Sequence, residues 1–298
     1  MKDEQVSEVL KRKVVITAAL TGAATMKAQN PAVPYTPEEF AEESYRCWQE
    51  GASIVHIHVR DPETGMSTEN MDLIRPTVEA IKERCPELII NMSTAIRPML
   101  TAKQRITPVQ EMKPEMASLN TNSMNFALAD QNTGDIMIEI VFENTFEMMQ
   151  DFAEKMRENK VKPELEIYDL SGIYNISLVN KKNLIDYPMH FQFVFGVVGG
   201  ISFSPANLAR MYELLPEGST WSVCGVGPNQ ISAALTALGW GGHIRVGLED
   251  NVRMPNRELA QGSWEQVKWA SDLVKMSGRE VATSDETREI LSLYKRDQ

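Results

Sequence analysis

The segment His56-Ile57-His58-Val59-Arg60-Asp61 contains half of the chain's four histidines. In an extended strand successive side chains point to opposite faces, so His56, His58 and Arg60 share one side while Val55, Ile57 and Val59 share the other. Two imidazoles two residues apart on one face can grip a divalent ion. Two buried, hydrogen-bonded histidines would give the same pattern. A second alternating segment, His243-Ile244-Arg245-Val246-Gly247-Leu248-Glu249-Asp250-Asn251, sets His243, Arg245, Gly247 and Glu249 on a common face. Two imidazoles and one carboxylate leave coordination positions open, as catalytic zinc sites do and non-haem iron sites also do. The competing reading of Arg245 and Glu249 is a structural ion pair.

Other segments add polar groups with less specific patterns. Ser93 follows the apolar run LIINM, Ser118 and Asn120 alternate within MASLNT, and Glu164 and Glu166 face one way in ELEIYD. Two carboxylates turned inward need a cation or a polar ligand. Glu166 could act as an acid or base, or could orient a metal ligand. Serine and asparagine at strand ends also serve simply as caps. Two glycine-rich turns, GVVGGISFSPANL with Gly199 and Gly200 and GVGPNQ with Gly225 and Gly227, let backbone N–H groups approach an anion such as phosphate. They fit tight strand-to-helix turns equally well.

These groups need a frame that brings distant segments together. Eight short runs rich in Val, Ile and Phe recur between stretches of helical periodicity, at 14–20, 53–59, 88–94, 116–121, 164–169, 189–196, 220–226 and 243–249. Such alternation is the signature of a parallel sheet, and eight repeats predict an α/β fold of the (β/α)₈ TIM-barrel type. Thr36-Pro37-Glu38-Glu39 combines a capping hydroxyl, a first-turn proline and a reciprocating carboxylate, predicting a helix over 37–50. Asn144, Ser204-Pro205 and Pro228 mark further helix starts. Two terminal helices, over 255–278 and 283–297, would pack under the barrel or against another subunit. No linker divides the chain, so residues 1–298 read as a single domain. In such barrels the site lies at the carboxyl ends of the strands, where His58 and Glu249 fall.

Composition narrows the partners. Lys and Arg number 30 against 41 Asp and Glu, a net charge of −11 that disfavours a phosphate backbone, so no nucleic acid is expected. No run approaches a membrane span of about 20 apolar residues, and the polar start MKDEQVSEVLKRK lacks a signal peptide's apolar core. No membrane partner is therefore expected, and the location reads as cytoplasmic. Cys47, Cys85 and Cys224 form no CxxC pair and suit a reducing compartment without disulfides. The 17 methionines suit helix packing rather than metal ligation.

Taken along its length, from VVITAALTGA through PAVPYTPEEFA, GASIVHIHVRD, KPEMASLN, PELEIYD, FVFGVVGG and GGHIRVGLEDN to ATSDETREIL, the chain resembles the β-keto acid cleavage enzyme family. That resemblance implies a zinc-containing barrel, commonly a homotetramer. Such an enzyme condenses a β-keto acid with acetyl-CoA and yields acetoacetate and a new CoA thioester. It implies His56, His58 and Glu249 as zinc ligands and Arg245 with Asp250 as a polar dyad assisting α-proton removal. Ser93 would lie near the acyl group, and Glu166, Ser118 and Asn120 would form the substrate shell. Arginine's pKa above 12 makes Arg245 an anion-binding group rather than a base, and the base stays open. Zinc polarising the keto and carboxylate oxygens would stabilise the enolate.

The chain departs from the family in three turns. Ser93-Thr94-Ala95-Ile96 replaces the common Ser-Thr-Gly-Gly, and Gly225-Val226-Gly227-Pro228 replaces Gly-Ile-Gly-Arg, removing a cation that could meet CoA phosphates. Members acting on an amino-substituted keto acid carry Glu after Thr-Gly-Ala, where this chain has Ala24 after Thr21-Gly22-Ala23. An ammonium without that counter-charge is disfavoured, so the resemblance predicts a neutral side chain on the keto acid. Two other functions are open: a metal-dependent hydrolase of amidohydrolase type, and a catalytically idle, metal-stabilised binding protein. The hydrolase reading needs histidines on strands five and six, but strand five has none and His190 sits at the amino-terminal end of its strand.

Overall fold

The computed structural model describes residues 11–130 and 133–295. The start of the chain through residue 10 and the end of the helix expected over 283–297 lie outside the described residues. Ten strands follow in chain order: β1 (Ile16–Ala19), β2 (Ile54–Ile57), β3 (Ile89–Met92), β4 (Met116–Asn120), β5 (Met124–Ala129), β6 (Ile136–Phe142), β7 (Lys162–Ile167), β8 (His190–Phe195), β9 (Thr220–Gly225) and β10 (His243–Val246). Eight of them close a parallel barrel in the order β1-β10-β9-β8-β7-β4-β3-β2. The remaining two, β5 and β6, form a separate antiparallel hairpin that the eight-strand expectation did not contain.

Helices α1 (Pro37–Gln49), α2 (Met71–Arg84), α3 (Ala102–Met112), α5 (Leu170–Val179), α6 (Pro205–Glu213), α7 (Asn229–Gly239) and α8 (Ser263–Met276) each follow a barrel strand, α4 (Phe146–Glu158) follows the hairpin inserted after β4, and α9 (Ser284–Leu291), the last helix of the described residues, stops at Leu291 rather than running on toward 297. The capping box at Thr36 and Glu39 forms as the residue types dictate, with Pro37 in the first turn. Asn144 does not cap α4. Thr145 does, while Asn144 accepts a hydrogen bond from Arg105. The helix expected from 255 begins only at Ser263. Thus α8 is the barrel's own eighth helix, and α9 is the added one. It seals the amino-terminal end of the barrel, where Leu291 packs with Val15, Ile54, Ile89 and Met116. No helix among the described residues is long and apolar enough to cross a membrane.

The outward residues of the strands, Val55, Ile57 and Val59 among them, join the helices in one continuous apolar cluster. The inward face is polar over much of its height. Thr17, His56, Asn91, Ser118, Glu164, Gln192, Ser222 and Arg245 are all buried. Polar groups removed from water must find partners among themselves. Gln192 accepts a hydrogen bond from Ser222, and Asn91 donates to Glu164 at 2.7 Å. An interior of this kind is built for a ligand above it rather than for stability alone.

Candidate active site

His56 and His58 reach the carboxyl end of β2 with their Nε2 atoms 3.7 and 3.6 Å from the same oxygen, Oε1 of Glu249. One ligand atom from each of the three residues lies within 4.8 Å of the others, among the described residues the one such grouping of His, Cys, Asp and Glu. Burial holds the His56 imidazole well below its ordinary range, against the attraction of Glu249, so the ring is neutral. Neutral imidazole is the form that ligates a metal. The remaining carboxylate oxygen, Glu249 Oε2, accepts the Gly22 backbone N–H at 3.0 Å. Gly22 has φ +61°, and a Cβ there would stand 2.6 Å from Glu249 Cγ, so both conformation and space demand glycine.

That turn is tied down from below by Arg60. Its buried guanidinium donates to the carbonyls of Thr21, Gly22, Thr25 and Gly65. Arg60 shares the inward face of His56 and His58, as the alternation requires, but its work is to set the turn that meets Glu249.

Arg245 occupies the centre of the floor. Its Nε and Nη2 grip Asp250 at 2.9 Å each, Nη2 also donates to Glu249 Oε1 at 2.6 Å, and Nη1 donates to Glu166 Oε1 at 3.3 Å. The ion pair with Glu249 and the three-residue ligand grouping are therefore both present. Burial opposes ionisation of Glu249, yet the Arg245 guanidinium outweighs it and holds the carboxyl well below its usual range. Burial pushes Asp250 upward against the same guanidinium. Burial pushes Glu166 up to about 7, with Arg245 pulling the other way. One guanidinium thus faces three carboxylates, and the excess negative charge, beside a neutral imidazole, suits a divalent cation.

Above this floor opens a cavity of about 910 Å³, whose walls include Ala24, Ser93, Glu166, Gly227, Arg245 and Asp250 along with His58 and Glu249. The Ser93 hydroxyl accepts the Ala95 N–H at 3.1 Å. Ser118 and Asn120 are buried beside the floor and do not line the cavity. Ser118 Oγ accepts the Thr94 N–H, fixing the turn after β3, while both polar atoms of the Asn120 amide lack partners. Gly227 donates to the Asp250 carbonyl at 2.8 Å. Gly199, Gly200 and Gly225 stand outside the cavity wall. A Cβ at Gly199 would overlap the Asn125 carbonyl oxygen of the hairpin, Gly200 approaches the Tyr168 carbonyl, and Gly225 packs on Asn229 at the start of α7.

Three contributors lay beyond sequence reasoning. Tyr168 donates its hydroxyl to Glu166 Oε2 at 3.0 Å, and the Cys224 thiol hydrogen-bonds to Asp250. Both continue the period-two alternation of ELEIY and TWSVC, which was the signal available. The third is the hairpin. Phe126, Leu128, Met137, Ile140 and Phe142 form an apolar wall of the cavity, bolted to the barrel by Arg105, which donates to Thr94 and Glu143 carbonyls and to Asn144 Oδ1.

With this geometry in place, comparison with known proteins is informative. The chain is 43% identical, over 95% of its length and 99% of the other's, to a protein of Fusobacterium nucleatum subsp. nucleatum named 3-keto-5-aminohexanoate cleavage enzyme. It is 33% identical, over 95% and 96%, to the 3,5-dioxohexanoate:acetyl-CoA acetone transferase of Paraburkholderia graminis. Among solved structures, the ternary complex of ObcA with a C4-CoA adduct and oxalate superposes with a TM-score of 0.72 at 24% identity, covering 88% of this chain and 68% of that one, a likeness of fold. The profile of the beta-keto acid cleavage enzyme family matches residues 13–293, and the chain belongs to that family.

Proposed function

We propose that this protein transfers an acyl group between a β-keto acid and acetyl-CoA, using a zinc ion held by His56, His58 and Glu249. The observation that carries the reading is the convergence of those three ligands with Arg245, Asp250 and Glu166 on one cavity floor, in a chain of this family. Acetyl-CoA comes from the names of relatives such as the acetone transferase. When bound, the ion would polarise the keto and carboxylate oxygens of the substrate and stabilise the enolate.

The chain's own groups supply the rest. Glu166 takes the α-proton. Its carboxyl sits near pH 7, it lines the cavity, and it is held by only one longer bond from Arg245 and one from Tyr168. Asp250 has both oxygens engaged by Arg245 and acts by orienting that guanidinium. The carbanion forms a carbon–carbon bond to the acetyl carbonyl as CoA leaves with the electron pair of the broken thioester bond. CoA then attacks the original ketone carbon, the older carbon–carbon bond breaks, and acetoacetate departs as an enolate that Glu166 reprotonates. Ser93 would meet the acyl oxygen from the wall.

The keto acid is proposed to carry a neutral side chain, in contrast to the amine named for the Fusobacterium relative. Ala23, Ala24 and Thr25 line the cavity where a carboxylate would be needed, and Glu164, the nearest inward carboxyl on β7 after Glu166, is buried away from the wall. A homotetramer belongs to the same proposal and is supported by the exposed apolar residues Ile136, Met137, Ile138 and Val141 on the hairpin. The test is acetoacetate release from 3-oxohexanoate and from 5-amino-3-oxohexanoate, each with and without acetyl-CoA. Release that requires the thioester and a higher kcat/KM for the neutral acid are expected. Release without thioester would favour hydrolysis, and preference for the amine would overturn the assignment of Ala24.

A further inference from the structure

The two histidines offer Nε2 to Glu249, which leaves their Nδ1 atoms on the other side of each ring. Both Nδ1 atoms are buried and without a hydrogen-bond partner. A neutral imidazole carries its proton on one nitrogen only, so a ring that is to ligate through Nε2 must keep the proton on Nδ1, and an acceptor there is what keeps it.

Beside His56 such an acceptor exists. Asn91 is the register partner of His56 across β2 and β3, its side chain alternates inward, and its Oδ1 is also buried and unpartnered. The orientation of the amide is set from its other end, because Asn91 Nδ2 donates to Glu164 Oε1 at 2.7 Å. Glu164 is wholly buried and touches neither the cavity nor any cation within ion-pair distance; its other oxygen lies 3.9 Å from His190 Nε2, and His190 Nδ1 in turn meets the Thr220 hydroxyl at 2.9 Å. A carboxyl placed this deep has no substrate to touch. What it does is hold the amide nitrogen, which leaves the amide oxygen free on the register partner of His56.

We propose that Asn91, oriented by Glu164, is a positioning residue that holds His56 as its Nδ1–H tautomer with Nε2 free for the metal. This rests on the reading of His56, His58 and Glu249 as a metal site. Partners of this kind around a ligating histidine are worth about 10- to 100-fold in metal affinity.

The experiment uses the full chain and Zn²⁺ as the probe, with chelator competition for affinity and ¹⁵N-histidine NMR of the metal-free protein for the tautomer. Only four histidines contribute signals. Wild type should show His56 protonated at Nδ1. Asn91→Leu should mix the tautomers and weaken Zn²⁺ binding at least about tenfold, and Asn91→Asp, which keeps an acceptor oxygen, should restore both. His56 found protonated at Nε2 in wild type overturns the proposal even if Asn91→Leu fails to fold, as does a folded Asn91→Leu with wild-type affinity and tautomer. If wild type and His56→Ala both fail to bind Zn²⁺, the metal site itself is wrong, while the tautomer still reports on Asn91.

Discussion

Replacing Glu166 with Gln should stabilise the protein at alkaline pH while removing its activity. Glu166 in the folded chain titrates at about 7 because burial disfavours its charge, whereas an unfolded glutamate titrates at 4.5. With the folded pKa raised, folding stability is full below the unfolded value, falls as pH rises from there, and has been lost once pH passes the folded value. A gap of about 2.5 units at 1.36 kcal/mol per unit amounts to about 3 kcal/mol in total, of which about 2.5 kcal/mol develops between pH 5 and pH 8. Glutamine reproduces the neutral carboxyl and cannot ionise, so this term vanishes in the variant. Urea unfolding of metal-free protein across that pH range reads the difference between wild type and variant. Any fixed offset from altered bonds to Tyr168 and Arg245 does not vary with pH. Glu43, which burial between α1 and α8 also raises to about 7, is common to both proteins and cancels. A difference that stays constant from pH 5 to pH 8 would refute the reasoning. In the loaded enzyme, log kcat/KM should rise with pH along a limb that Tyr168→Phe moves to higher pH, since the lost hydroxyl bond favoured the ionised carboxylate.

His58→Ala should abolish metal binding while far-UV circular dichroism still reports a folded barrel, and stoichiometric metal in that variant would remove His58 from the site. Glu249→Gln should lose most turnover and metal affinity with a small change in stability, because the amide keeps the Gly22 contact and drops the charge. Unchanged turnover would leave Glu249 as a partner of Arg245 alone. Gly22→Ala should cost about 1–2 kcal/mol from its left-handed backbone and also weaken metal binding, because the new methyl displaces the Glu249 side chain. Unfolding together with metal titration would show whether the two losses travel together.

What could be read in advance follows the physical range of each signal. Alternation is local, so HIHVRD reported which residues face inward without reference to any other part of the chain, whereas the strand expected over 243–249 ends at Val246, and it is the turn after β10 that carries both Glu249 and its neighbour Asp250 to the floor beside His58. Arg60 was visible as an inward residue, but its partners are four backbone carbonyls, and carbonyls carry no sequence identity. The hairpin escaped although IMIEIVF is as apolar as the barrel runs, because β5 and β6 pair only with each other outside the barrel and leave their side chains intermediate or exposed, a placement that apolar composition does not report. Gly199 illustrates the reverse error. Glycine next to a strand end suggested room for an anion, and the room is filled by the hairpin's own backbone.

The charges on the floor also determine the order in which ligands can arrive. Glu249 is ionised, Asp250 is clamped to Arg245, and Glu166 gains charge near pH 7, so a lone guanidinium confronts more negative charge than it can neutralise. A β-keto acid brings a further carboxylate. Arg245 has no nitrogen left without a carboxylate partner to receive it. In a site this buried, adding an anion to that floor costs several kcal/mol unless a cation precedes it. On the proposed reading, a divalent ion at His56, His58 and Glu249 would therefore do more than activate the substrate. It would be the counter-charge that lets an anionic substrate enter, with the charge of Glu249 stabilised in advance by Arg245 and the Gly22 N–H.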